Sequence, residues 1–151
     1  MLLKEPTKKQ EDKIIKSVLR EFKKYHRCLL VLEENQLPKI TASYTFNESS
    51  TVNNQFHSST ESTAIANIEA QEFITSLLKR IDRLKPRYRK IIYEYYIKTD
   101  EPNVIEISNM LHVTESHFHR LKRNALITLG YALGYATEEI DSDSNSGNEA
   151  L

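Results

Sequence analysis

Apolar residues recur at helical spacing near the start of the chain and again over its second half, with a long polar stretch between. In the first region they lie three and four residues apart, which places them on one face of a helix. These residues are Ile14, Ile15, Val18, Leu19 and Phe22. Thr7 followed by Gln10 matches the capping box that begins such a helix, and the pattern runs to about Leu32. We predict an amphipathic helix in residues 1–34. Its basic side is typical of a solvated outer face, and dimerisation or docking on another protein is the alternative.

The second apolar region, residues 63–136, predicts four further helices. Their predicted starts are, in order, Ser62 or Thr63, Pro86, Pro102 and Thr114. Serine and threonine accept hydrogen bonds from the first free N–H groups of a helix, and proline suits a first position because its missing N–H has no partner there. The pattern stops after Gly134. The predicted fold class is all-α, with a C-terminal helical bundle, an N-terminal amphipathic helix and a flexible linker.

Two segments lack a helical pattern. Residues 35–62 are rich in Ser, Thr and Asn and predict a linker or arm. Apolar and polar residues alternate over 40–46, so a short strand that clasps a partner subunit is an alternative there. Residues 137–151 are acidic and small, and we predict a disordered tail. A tail that competes with DNA for basic surface, or contacts a partner, is the functional alternative.

The net charge is zero, but the charges are unevenly distributed. Residues 1–40 carry ten basic and six acidic side chains, and residues 64–136 carry eleven basic and eight acidic ones. Residues 41–63 carry two acids, and residues 137–151 carry five acids and no base. Phosphate binding depends on local basic surface rather than on the total, so the composition is compatible with a nucleic-acid partner.

Enzymatic chemistry has little support in this sequence. The chain has 3 glycines, which form no phosphate-binding loop, and a single cysteine, Cys28. His117 and His119 are two residues apart and point to nearly opposite sides of a helix, so they make a poor metal pair even with His112 nearby. We expect a protein that is not an enzyme and has no cofactor and no metal site.

The start of the chain, MLLKEPTKKQ, is charged within four residues and lacks the apolar core of a signal peptide. The longest apolar run covers residues 28–32, far short of a membrane span. We expect no membrane partner and a cytoplasmic location in a bacterial host cell, in association with the nucleoid.

Residues 103–130 have the layout of a helix-turn-helix. A short helix with apolar residues at 104, 107, 110 and 111 leads to a turn near His112, and Thr114 begins a second helix that we predict over 114–128. One residue in this turn needs a left-handed backbone, which histidine tolerates less well than glycine. In this motif the second helix lies in the major groove of DNA. A polar, basic face is also common on amphipathic helices without this function.

Residues on the outward side of the second helix are the candidates for reading DNA. The predicted base contacts are Glu115, Ser116, His119 and Arg120, because side chains near the start of the helix reach base edges and arginine pairs with guanine through two hydrogen bonds. The predicted phosphate contacts, which provide affinity and register, are Arg87, Arg89, Thr114, His117, Lys122 and Arg123.

Residues 77–97, LLKRIDRLKPRYRKIIYEYYI, followed by EISNMLHVTESHFHRLKRNAL at 106–126, resemble region 4 of sigma-70-type factors. More narrowly, the chain is similar to the ArpU/RinA-like family of phage-encoded transcriptional regulators. This resemblance implies an activator of late phage genes that binds promoter DNA together with bacterial RNA polymerase. The sigma factors carry an Arg-Glu pair and a later Gln where this chain has Glu115, Ser116 and Arg120, so the recognised DNA sequence is expected to differ. No segment resembles the promoter-melting region 2.

Two other functions are alternatives at this stage. A small terminase-like DNA-packaging protein is also helical and binds DNA, but it assembles into large rings. A module that binds polymerase or a sigma factor without touching DNA would show no DNA affinity even at low salt. A homodimer is a possible partner state for this chain, and a monomer or dimer in solution argues against the terminase-like alternative.

Overall fold

A computed structural model describes residues 5–32, 37 and 61–135. These residues form α-helices and no β-strand, so the predicted all-α class is confirmed for this part of the chain. The helices are α1 (Lys8–Val31), α2 (Glu61–Asp82), α3 (Pro86–Ile92), α4 (Val104–Leu111) and α5 (Glu115–Leu133), and a π-helical segment (Tyr93–Ile97) continues α3. The predicted arm and acidic tail lie outside the described residues, as does the segment boundary at residue 34.

The starts of α1, α3, α4 and α5 follow local capping rules, whereas α2 begins at Glu61, so the prediction that Ser62 or Thr63 caps it is wrong. The Thr7 hydroxyl accepts a hydrogen bond from the Gln10 N–H at 3.3 Å, and the Gln10 side chain accepts one from the Thr7 N–H at 2.8 Å, which confirms the predicted capping box. Pro86 is at the first position of α3, as predicted. The prediction that Pro102 begins the next helix is wrong by two residues. Asn103 is the cap instead, because its side-chain oxygen can accept the Glu106 N–H at 3.2 Å, which a proline ring cannot do.

The larger of two hydrophobic clusters joins α1, α2, the π-helical segment and the second half of α5. The apolar stripe of α1 lies inside it, and Ile14 and Val18 are fully buried. Phe22 stacks on Tyr96 with ring centroids 4.7 Å apart, and the His26 ring nitrogen Nε2 lies 2.7 Å from the Tyr96 carbonyl oxygen. Because α1 shares its core with α2 and α5, it is an integral part of the helical bundle.

The smaller cluster holds α3, α4 and the first half of α5 together. Its buried members are Ile91, Ile107, Leu111, Phe118 and Leu121. The π-helical segment links the two clusters. Its wider turn, closed by a hydrogen bond from the Lys98 N–H to the Tyr93 carbonyl at 3.0 Å, directs Tyr95 toward Phe118 while Tyr96 packs on Phe22.

Candidate nucleic-acid interface

The connection between α4 and α5 is short, and backbone hydrogen bonds to the end of α4 close it. His112 has φ 56° and ψ 45°, which confirms the left-handed backbone predicted at this turn. The His112 N–H donates to the Asn109 carbonyl at 3.1 Å, and the Val113 N–H donates to the Ser108 carbonyl at 3.0 Å. These bonds satisfy carbonyls that the end of α4 would otherwise leave without partners, so the turn holds the two helices at a defined angle.

The start of α5 is anchored at two levels. The Thr114 hydroxyl accepts the His117 N–H at 3.2 Å and caps the helix, as predicted. One turn further, Phe118 is fully buried between α3 and α4, and Leu121 follows it on the same face. The helix extends to Leu133, five residues beyond the predicted end at 128, and Gly134 closes it with φ 89°. The buried anchors fix which side of α5 faces solvent.

The four predicted base-contacting residues share the solvent-facing side of this first half. Glu115, Ser116, His119 and Arg120 are all exposed. Their spacing of one, four and five residues confines them to roughly 140° of the helix circumference, at about 100° per residue. The structure therefore brings these four side chains together on one open surface, which we call the α5 face.

The predicted phosphate contacts are more dispersed. Thr114 serves as the helix cap, and His117 is half-buried beside it. Arg87 is exposed on α3, whereas the Arg89 guanidinium donates to the Asp82 carbonyl at 3.2 Å. The Lys122 ammonium lies 4.3 Å from the centroid of the Tyr95 ring, a cation–π contact that holds it against the π-helical segment.

Arg123 has two carboxylate partners on α1. Its guanidinium donates to Glu11 Oε2 at 3.1 Å and to Asp12 Oδ1 at 2.9 Å. The hydrogen bond with Asp12, supported by Glu11, raises the pKa of Arg123 above its ordinary value. Both carboxylates are partly exposed, so each pair contributes at most about 1 kcal/mol to stability. Arg123 therefore links α5 to α1 within the molecule.

The position of α1 beside the α5 face could not be deduced from local sequence. Glu11 and Asp12 lie 112 and 111 positions before Arg123. The nearest sequence signal is Gly130, a buried helical glycine in contact with Ile14, since a glycine in mid-helix often marks a close approach of another element. The result is that an acidic pair borders the α5 face at its C-terminal end.

Among the described residues, no group of three or more His, Cys, Asp and Glu side chains is placed to hold a metal ion. None of the described helices combines the length and apolar composition that a membrane crossing requires.

Similar proteins come from Listeria and its phages. An uncharacterized phage-related protein of Listeria innocua is 32% identical to this chain over 128 residues, which cover 82% of the chain and 89% of that protein. Protein Gp66 of Listeria phage A118 is 28% identical over 124 residues, 80% of this chain and 84% of that protein. The chain belongs to this family of phage-related proteins. No protein-family model matches the chain, and no solved structure matches it.

Proposed function

We propose that the chain is a sequence-specific DNA-binding protein that activates transcription of phage genes, with the first half of α5 in the major groove. The observation that carries the proposal is the α5 face itself: four exposed polar side chains at the start of a helix that a capped turn and buried Phe118 hold in place. A groove of about 12 Å admits such a helix, and its first two turns reach base edges.

Arg120 is the residue on which we expect sequence reading to depend most. It is exposed and forms no hydrogen bond or ion pair with another described residue, unlike Arg123 and Arg89. Its guanidinium is therefore available to donate two parallel hydrogen bonds to N7 and O6 of a guanine. Glu115 and Ser116 lie nearer the start of the helix. The Glu115 carboxylate can accept a hydrogen bond from a cytosine amino group, and the Ser116 hydroxyl can donate to or accept from a base edge.

The phage setting rests on the relatives, and the promoter rests on the resemblance to sigma region 4 over residues 77–97 and 106–126. On that basis we propose an ArpU/RinA-like activator of late genes, with promoter DNA and bacterial RNA polymerase as partners. The exposed Arg87, together with Thr114 and His117 beside the cap, would contact phosphates at the edge of the groove.

The test begins with sites selected by the full-length chain from fragments of the genome that encodes it. Affinity for a selected duplex and for an unrelated duplex is then compared in Arg120→Ala and Arg120→Lys. Lysine keeps the charge but loses the planar pair of donors. We expect Arg120→Lys to lose roughly 5- to 150-fold in preference for the selected site, about 1–3 kcal/mol, while affinity for the unrelated duplex is retained. An unchanged preference for the selected duplex in both variants would refute the proposal that the α5 face reads the DNA sequence.

Transcription in vitro tests the activator role. With host polymerase and a promoter that contains the selected site, we expect more transcript with the wild-type chain than with Arg120→Ala. Binding without activation, together with a ring-sized mass in solution, would favour DNA packaging. No DNA binding even at low salt would favour a module that contacts only protein.

A further inference from the structure

We propose that the outward side of α1 is a second contact surface for the phosphate backbone of the duplex held by α5. This inference rests on the proposed function. The surface, which we call the α1 basic stripe, consists of the exposed residues Lys9, Lys16, Arg20, Lys23 and Arg27. Their spacing of seven, four, three and four residues aligns them along one side of the helix.

One acidic residue, Asp12, lies among these cations, three residues after Lys9 and four before Lys16, and its side chain is partly exposed. The acidic residues within α1 are Glu11, Asp12 and Glu21, and each has a partner on or beyond α5. Glu11 and Asp12 accept from Arg123, and Glu21 accepts from the Tyr135 hydroxyl. The three carboxylates of α1 are therefore engaged with α5 and Tyr135, and among the described residues no carboxylate pairs with a cation of the stripe.

The stripe and the α5 face lie on the same side of the molecule. Arg123 is seven residues after Ser116 and three after Arg120, so it continues the α5 face by about two turns. Its contact with α1, and that of Gly130 one heptad later with Ile14, show that α1 packs over the second half of this same side. Ile14 faces α5 and is fully buried, so the opposite side of α1, which carries the stripe, faces outward in the direction of the α5 face.

The dimensions of the stripe fit a nucleic-acid backbone. Lys9 and Arg27 are eighteen positions apart, which is about 27 Å at 1.5 Å per residue. One strand of a duplex has a phosphate for every 3.4 Å or so of helix axis, hence about eight over this length, and because the strand winds around the axis a straight helix contacts only some of them. A straight row of cations without interspersed exposed apolar residues matches a regular line of phosphates better than it matches a protein surface, which would need apolar contacts as well.

The experiment compares Lys16→Gln/Arg20→Gln/Lys23→Gln with the charge-preserving Lys16→Arg/Lys23→Arg in the full-length chain. Affinity for the selected duplex and for an unrelated duplex is measured between about 50 and 200 mM salt, since each lost phosphate contact reduces the salt slope by about 0.9. We expect the glutamine variant to reduce the slope by roughly 2–3 and to weaken binding of both duplexes equally, by about tenfold or more. The arginine variant should bind as the wild type does. The positions are exposed, and an unchanged thermal unfolding transition checks that the fold is intact.

Three results would overturn the inference. An unchanged salt slope in the glutamine variant, with normal site preference, would leave the proposed function standing and remove only the stripe. Loss of polymerase binding with unchanged DNA affinity would identify an acidic protein surface as the partner of the stripe. A wild-type chain that binds neither duplex at low salt would contradict the proposed function as well, and the wild-type measurement by itself separates that case from the first.

Discussion

Replacing Gly130 with alanine tests the contact between α1 and α5 on which the shape of the candidate interface depends. Gly130 is buried in the last third of α5, and a Cβ built on its backbone would overlap the Cγ2 methyl of Ile14, which is itself fully buried. In an open helix the same substitution stabilises a protein by about 1 kcal/mol, because glycine loses more backbone freedom on folding than alanine does. In a packed core, an added methyl that has no room costs about 1–3 kcal/mol.

The two effects have opposite signs, so the change in the free energy of unfolding shows whether α1 is packed against α5 at Gly130. With α1 packed as described, we expect Gly130→Ala to lower the free energy of unfolding by about 1 kcal/mol, or the melting temperature by about 2–4 °C for a chain of this size. Urea unfolding followed by circular dichroism measures the first quantity, and an unchanged dependence on urea concentration shows that the denatured state is unaffected.

A second substitution shows whether Ile14 is the cause. Ile14→Ala removes the methyl that the new Cβ would meet, and on its own it should cost about 2–5 kcal/mol through the cavity it leaves. In that background Gly130→Ala should become neutral or stabilising, with a coupling energy of about 0.5–3 kcal/mol. Ile14→Val keeps both γ carbons and should give no such rescue. A Gly130→Ala variant that is more stable than the wild type by about 1 kcal/mol, with additive effects in the double mutant, would refute the packing of α1 on α5.

Three further predictions concern the turn and the core. Thr114→Ala should lower the free energy of unfolding by about 1 kcal/mol, because the His117 N–H loses its acceptor. Thr114→Ser keeps the hydroxyl and should retain stability. Equal urea midpoints for the two variants would contradict the cap. His112→Gly should raise the free energy of unfolding by up to about 1 kcal/mol, since a left-handed backbone is strained in a residue with a Cβ. A lower free energy of unfolding, measured by the same method, would argue against the observed φ of 56°. Burial raises the pKa of Tyr25 from 10.0 to about 12, so its neutral form stabilises the fold fully below pH 10 and that contribution is lost as the pH rises toward 12. Ultraviolet titration should therefore show that Tyr25 ionises only as the helical circular dichroism signal disappears. Ionisation of every tyrosine near pH 10 in the folded protein would disprove this.

Much of the candidate interface was predictable because it depends on residues close together in the chain. The capping box at Thr7, the left-handed turn at His112 and the cap at Thr114 follow from the hydrogen-bonding capacity and backbone preferences of a few neighbouring residues. The exposed side of α5 follows as well, because the apolar spacing that includes Phe118 and Leu121 leaves only one side free for Ser116 and Arg120.

Other features needed the fold. Tyr93–Ile97 has the apolar content of an ordinary α-helix. Its π-helical geometry allows two adjacent tyrosines to pack in different clusters, Tyr96 in the larger and Tyr95 in the smaller. From the sequence alone, Arg123 and Lys122 are predicted to be free cations on the surface of a helix. In the structure, Arg123 is paired with Glu11 and Asp12, and Lys122 lies over Tyr95. Their assignment as phosphate contacts stays a prediction.

The sequence by itself determined the helices, most of their caps and the side of α5 that faces solvent, because periodicity and capping are properties of short segments. Only the tertiary structure decided that α1 lies over the second half of that side, so that its acidic pair borders the α5 face. The physical reason is that an apolar stripe specifies that a helix will be buried without specifying its neighbour. The neighbour is selected by shape over more than a hundred residues of chain, and here that selection depends on the space that Gly130 leaves for Ile14.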